Sequence, residues 1–182
     1  MDSLASDQNQ EKIVLNPFRI KSAAMLGVVA AAVTASPAVA GTQSSSLGVS
    51  ATVAANCTIS TTALAFGSVD TISASAVDGT GGVNIVCTNG SSWTASANAG
   101  TGSGATLGTR RMTSGSNTLA YSLYTDSGRT TVWGDGSTGT STIANTGTGT
   151  TQAFTIYGRV PAGQTSVPAG SYADTVSVTV TY

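Results

Sequence analysis

Between Ser44 and Asn56 the chain alternates strictly. Leu47, Val49, Ala51 and Val53 occupy odd positions, and Ser46, Gly48, Ser50 and Thr52 occupy even ones. A period of two places one set of side chains on one face of a strand. Gly48, Val49, Thr52 and Val53 are poor helix formers, so a helix is disfavoured. The segment reads either as the first strand of a β domain or as a strand offered to another molecule. The same alternation closes the chain, where Val176, Val178, Val180 and Tyr182 interleave with Ser177, Thr179 and Thr181 over Asp174 to Tyr182. In between lie short apolar runs: Cys57–Ile59, Leu64–Val69, Val83–Cys87, Trp93–Ala97, Leu119–Tyr124, Thr131–Trp133 and Phe154–Val160. Turn signals separate them. Asp78 to Gly82 predicts a turn, Asn89-Gly90 predicts a type I′ hairpin, and Asp126-Ser127-Gly128 predicts another reversal. Gly100–Gly108 and Gly134–Gly149 predict loops, the second broken only by Ile143-Ala144, and Pro161, Gly163, Pro168 and Gly170 punctuate the last connection. No window carries a helical period. The pattern predicts an all-β, immunoglobulin-like antiparallel sandwich.

The first forty residues read differently. Lys12, Arg19 and Lys21 form a basic region, Ala23–Val33 is a run of small and apolar residues, and Ala38-Val39-Ala40 supplies a small-residue cleavage signature. This is a cleaved signal peptide over 1–40, with the cut before Gly41. Its apolar run is too short to span a membrane comfortably, so the mature protein is not expected to be integral. The acidic start (Asp2, Asp7, Glu11) makes the leader long. The rest divides into an N-terminal extension, 41–56, and one domain, 57–182.

After residue 40 there is no His, Lys or Glu. The charges are Arg110, Arg111, Arg129 and Arg159 against Asp70, Asp78, Asp126, Asp135 and Asp174, a net of 4 − 5 = −1. No basic patch exists for nucleic acid, and no acidic cluster exists for calcium or another metal. Serines abound, but no His or Lys is there to activate them. Gly134-Asp135-Gly136-Ser137-Thr138-Gly139 fits G-x-G-x-x-G, yet neither a helix nor an acid at the required spacing follows, so it reads as a loop. The aspartates sit in or beside turns, where they bond their own backbone. Asn56-Cys57-Thr58 and Asn89-Gly90-Ser91 fit the glycosylation sequon, the second better explained as a hairpin. Trp93 and Trp133 read as core residues, and Arg110-Arg111 as a solvated loop feature. The chain is not expected to be an enzyme or to hold a cofactor.

Large apolar residues are sparse, and a thin core needs a staple or a partner. Cys57 and Cys87 read as one disulfide in an exported chain, against the alternative of two free thiols. The last strand has an apolar face but no chain after it, while a spare strand precedes Cys57. An immunoglobulin-like sandwich would continue into one more strand.

Several landmarks in order resemble the spore coat protein U domain family, which includes the subunits of archaic chaperone–usher pili. They are Asn56-Cys57-Thr58-Ile59, Phe66-Gly67, Gly82 to Cys87, Leu119 to Asp126 with Arg129-Thr130, Phe154 to Pro161, and Ala169 to Thr175. The resemblance implies an incomplete sandwich completed by a donor strand from another subunit. A periplasmic chaperone lends a strand first. At the outer-membrane usher the N-terminal segment of the next subunit replaces it. It also implies a structural pilus subunit at the cell surface, supporting adhesion and biofilm formation. A tip or minor adhesin, or a secreted coat protein of the same fold, is the alternative. On this reading Leu47, Val49, Ala51 and Val53 are donor-strand anchors, and Val176, Val178, Val180 and Tyr182 mark the acceptor-groove and chaperone-contacting strand. The partners are copies of the chain or other pilins, the chaperone and the usher.

Overall fold

Inward positions that alternate along each strand build two facing sheets. We describe the protein from a computed structural model, which describes residues 37–137 and 139–182. Lys12, Arg19, Lys21 and the 23–33 run lie outside the described residues. The chain divides into residues 1–48 and 49–182. In the first unit, residues 37–48 carry no regular secondary structure and are exposed. The second unit holds β1 (Cys57–Thr62), β2 (Val77–Cys87), β3 (Ser92–Ala97), β4 (Arg110–Ser114), β5 (Asn117–Tyr124), β6 (Ile143–Thr146), β7 (Gln152–Val160) and β8 (Val178–Thr181). One sheet has the order β1-β2-β7-β5-β4 and the other β6-β3-β8. All the strand pairings are antiparallel. No helix occurs among the described residues, so none there is long and apolar enough to cross a membrane.

The core follows from the period of two. Val83, Ile85 and Cys87 of β2, Trp93, Ala95 and Ala97 of β3, and Leu119, Tyr121 and Leu123 of β5 are buried. Ile156 and Val160 of β7 join them. Trp93 meets Phe154 edge-on with ring centroids 5.5 Å apart and donates its Nε1–H to Gln152 Oε1 at 3.2 Å. Trp133 is also buried and donates to the Ala95 carbonyl at 3.2 Å. Both indoles are core residues, as the sequence predicts, with their polar edges satisfied. The Cys57–Cys87 disulfide ties β1 to β2 at the first pair of their register.

Five local expectations give way to tertiary structure. Asp78 to Gly82 is not a turn but the middle of β2, paired throughout with β7. Its glycines serve packing: a Cβ on Gly79 would stand 2.9 Å from the Ala65 carbonyl oxygen, and one on Gly81 2.9 Å from Leu64 Cβ. Asn89-Gly90 makes no hairpin, because β2 and β3 belong to different sheets. Of the two, only Gly90 has a positive φ, 81°, whereas a type I′ turn needs it at both positions. Residues 110–114 form β4, and Arg110 is fully buried rather than solvated. It donates to the carbonyls of Asn98 (2.9 Å), Leu107 (3.0 Å) and Trp133 (2.8 Å), so one guanidinium closes three stretches of loop. Ile143–Thr146 is an edge strand inside the expected loop, made by pairing with Ser92–Ala95. The closing strand is regular only over Val178–Thr181, although its alternation of burial begins at Tyr172.

Candidate functional site: an open groove and an unpaired arm

An open groove of about 1100 Å³ runs beside the lead-in to β8 and its first residue. Its floor is core: Val83, Leu119, Tyr121, Leu123 and Ile156. One wall is the stretch from Thr61 to Ile72, and the other runs from Val167 to Val178. The first wall lies close to the floor because glycines make room for it. A Cβ on Gly158 would stand 2.8 Å from both Leu64 Cδ1 and Phe66 Cζ. Phe66 then meets Tyr121 edge-on at 5.9 Å.

Backbone polarity along β8 follows from its register. The Asn98 N–H donates to the Ser177 carbonyl at 3.1 Å, and the ladder continues through Ser96–Thr179 and Thr94–Thr181. In an antiparallel pair alternate residues turn both backbone groups to the same neighbour. Ser177, Thr179 and Thr181 therefore face β3, and Val176, Val178 and Val180 direct their N–H and C=O groups to the open edge. β8 is the edge strand of its sheet, and among the described residues no strand pairs with that edge. Val176 and Val178 line the groove; Val180 lies farther along the same edge. Tyr182 lies beyond β8 and is 55% exposed, its hydroxyl 3.5 Å from Asn56 Oδ1. Ile59 shares the core-facing side of β1 with Cys57 yet remains 39% exposed. An edge strand with free backbone groups beside an uncovered apolar floor is the arrangement to which an additional strand pairs.

Two carboxylates stand on the groove walls: Asp70 on the first, where it accepts the Ile72 N–H at 3.0 Å, and Asp174 on the second. Asp174 Oδ2 accepts the Tyr121 hydroxyl at 2.7 Å, while Oδ1 accepts the Thr101 N–H at 2.8 Å and its hydroxyl at 2.9 Å. Burial pushes the Asp174 carboxyl up, but the bonds from Thr101, Tyr121 and Thr175 outweigh it and hold the group below the usual carboxylate range. Burial, and then the bond to Asp174, pushes the Tyr121 phenol above its ordinary value. The other aspartates are structural. Asp126 caps the turn at Thr130 and Thr131, Asp135 that at Ser137, and Asp78 holds Arg159 through two bonds of 2.7 and 2.9 Å. Among the described residues no group of three or more His, Cys, Asp or Glu is placed to hold a metal.

The alternating segment before β1 forms no strand. Among the described residues, 49–55 have no ladder partner, and they are exposed, Val49 at 87% and Val53 at 83%; Ala51 is exposed too, as is Leu47 at 88%. Its pattern suits a strand, but a strand exists only when its backbone groups are paired.

Residues 43–179 match the model of the Spore Coat Protein U domain. Protein U of Myxococcus xanthus is 38% identical over 179 residues, covering 90% of this chain and 98% of that protein. A solved chaperone–tip adhesion subunit pre-assembly complex, from archaic chaperone-usher Csu pili of Acinetobacter baumannii, is similar with a TM-score of 0.52 and 24% identity. The match covers 72% of this chain and 40% of that chain. Similarity at that identity is one of fold: an all-β antiparallel sandwich.

Proposed function

From the premise that the chain belongs to the Spore Coat Protein U domain family, we propose that it is a structural pilus subunit that polymerises by strand exchange. The observation that carries the reading is the open edge of β8 above an apolar groove, in a chain that also carries an unpaired alternating arm. Strand addition of this kind is an established mode between chaperones and pilins. Here the groove edge at Val176, Val178 and Val180 accepts a strand. Leu47, Val49, Ala51 and Val53 of a neighbouring copy supply side chains to it. A periplasmic chaperone fills the same groove beforehand, and the outer-membrane usher exchanges one strand for the other. Residues 1–40 direct export and are removed, 41–56 form the donor arm, and 57–182 form the acceptor domain. The assembled fibre is extracellular and supports adhesion and biofilm formation, and the chain performs no catalysis.

A second reading, a secreted coat protein of the same fold outside a pilus, is favoured by the match to nearly the whole length of Protein U. Deleting Ser44–Val53 tests the strand-exchange proposal. Surface polymer is followed as an SDS ladder without boiling. The ladder should vanish while the subunit still accumulates in the periplasm with its chaperone. Normal polymerisation of the deleted chain would reduce the segment to a dispensable tail.

A further inference from the structure

The point at which the arm leaves the domain is built, and Thr88 builds it. β1 and β2 remain in register through Cys57 and Cys87, and the ladder reaches one residue further, where the Thr88 N–H donates to the Asn56 carbonyl at 2.9 Å. A regular antiparallel pair would return the Asn56 N–H to the Thr88 carbonyl. That carbonyl is already committed to the Ser91 N–H at 3.1 Å, across the turn that carries the chain to the other sheet. The Thr88 side chain replaces it. Its Oγ1 accepts the Asn56 N–H at 3.0 Å and lies 3.3 Å from the Asn56 carbonyl oxygen, to which it can donate. The turn is itself fixed from outside, because the Gly90 N–H donates to the Gly147 carbonyl at 2.9 Å and the Gly147 N–H to the Ser91 carbonyl at 2.7 Å. Beyond Thr88 the chain departs for the second sheet, so β2 offers no further residue to the described residues that precede Asn56.

We infer that Thr88 is a positioning residue that clamps Asn56 and thereby fixes how the arm leaves its own domain, setting the stiffness of the joint between successive copies of this chain. The inference rests on the strand-exchange reading. A polymer of domains joined through short arms bends wherever the arm root is free to rotate. With Asn56 held by both strand and hydroxyl, the rotatable stretch is confined to the residues between the last donor anchor and Asn56, namely Ala54 and Ala55.

The test uses fibres from cells carrying wild type, Thr88→Val or Thr88→Ser. Each is scored for its unboiled SDS ladder and for persistence length in electron micrographs. All three should give the same ladder. Thr88→Val fibres should have a persistence length at least about twofold shorter, and Thr88→Ser, which keeps the hydroxyl, should restore it. Thr88→Val fibres that bend like wild type overturn the inference and leave strand exchange standing. Absence of a ladder in wild type overturns strand exchange itself. Should Thr88→Val fail to assemble, hydrogen exchange on wild-type fibres decides: the Asn56 amide must exchange at least about tenfold more slowly than that of Ala55. Equal rates overturn the clamp.

Discussion

The Tyr121 hydroxyl lies 2.7 Å from Asp174 Oδ2 and so joins the groove floor on β5 to the wall that leads into β8. Asp174 also holds Thr101 through two bonds, so one carboxylate fixes three segments around the open groove. The wall therefore stays in place while the edge beyond it is unpaired.

This contact carries a pH dependence with a definite sign. Asp174 titrates below its ordinary range in the fold, so its contribution is present above the unfolded carboxylate value, near 4, and is lost as pH falls through the lower folded value. Tyr121 titrates higher in the fold, so its contribution is complete below about pH 10 and is lost above that. Asp174→Asn should flatten the acid limb of a stability–pH curve and cost about 1–3 kcal/mol at neutral pH. Denaturant titrations from pH 3 to 8 measure both. An unchanged acid limb would remove Asp174 from this role.

Arg110→Met should destabilise by about 3 kcal/mol, because three carbonyls lose their donor together. Arg110→Lys should recover only part of that, since an ammonium cannot reproduce the planar fork. Arg111→Ala, at a half-exposed neighbour, should change stability by less than about 1 kcal/mol. Midpoints of chemical denaturation rank the three.

At Gly158 a methyl group would collide with Leu64 and Phe66 at 2.8 Å, whereas at Gly82 it would find its nearest neighbour, Thr62 Cβ, at 3.6 Å. Gly158→Ala should therefore push the first groove wall outward and cost about 1–3 kcal/mol, and Gly82→Ala should be tolerated. A thermal shift for Gly82→Ala as large as that for Gly158→Ala would contradict this packing.

Loss of the Cys57–Cys87 bond should cost about 3–4 kcal/mol, the chain-entropy value for a loop of this length. The intact mass of unreduced exported protein should lie two hydrogens below that of the reduced chain. Free thiols in protein taken from the cell envelope would contradict it.

Among point variants of the arm, Val49→Asp should abolish the unboiled ladder, since burial of Val or Leu contributes about 1.5–3 kcal/mol and a buried unpaired charge costs more. Ser50→Asp, on the opposite edge of the alternation, should do much less. Both changes leave the acceptor groove intact, so chaperone capture should persist. Equal ladders from the two variants would show that the alternation does not select the inserted face.

Much of the architecture could be read along the chain. Alternation in Val83–Cys87, Trp93–Ala97, Leu119–Tyr124 and Phe154–Val160 reports which face of each strand is buried, and that needs only a period of two. The cysteine pairing was legible because only two cysteines exist. The open strand edge was legible in part, from an alternating run at each end of the chain.

What only the tertiary structure decided is where one segment meets another distant in sequence. Gly79 and Gly81 read as a turn because glycine is a turn residue, and only the chain from Thr62 to Phe66 lying against them explains glycines inside a strand. Arg110 read as solvated because charge is ordinarily exposed; its burial depends on three carbonyls brought from residues 98, 107 and 133. Asn89-Gly90 read as a hairpin because the turn signal is local, whereas the sheet that each flanking strand joins is not. The arm from Leu47 to Val53 shows the same division. Its sequence fixes the pattern of a strand, and pairing, a property of two segments and not of one, determines whether that strand exists.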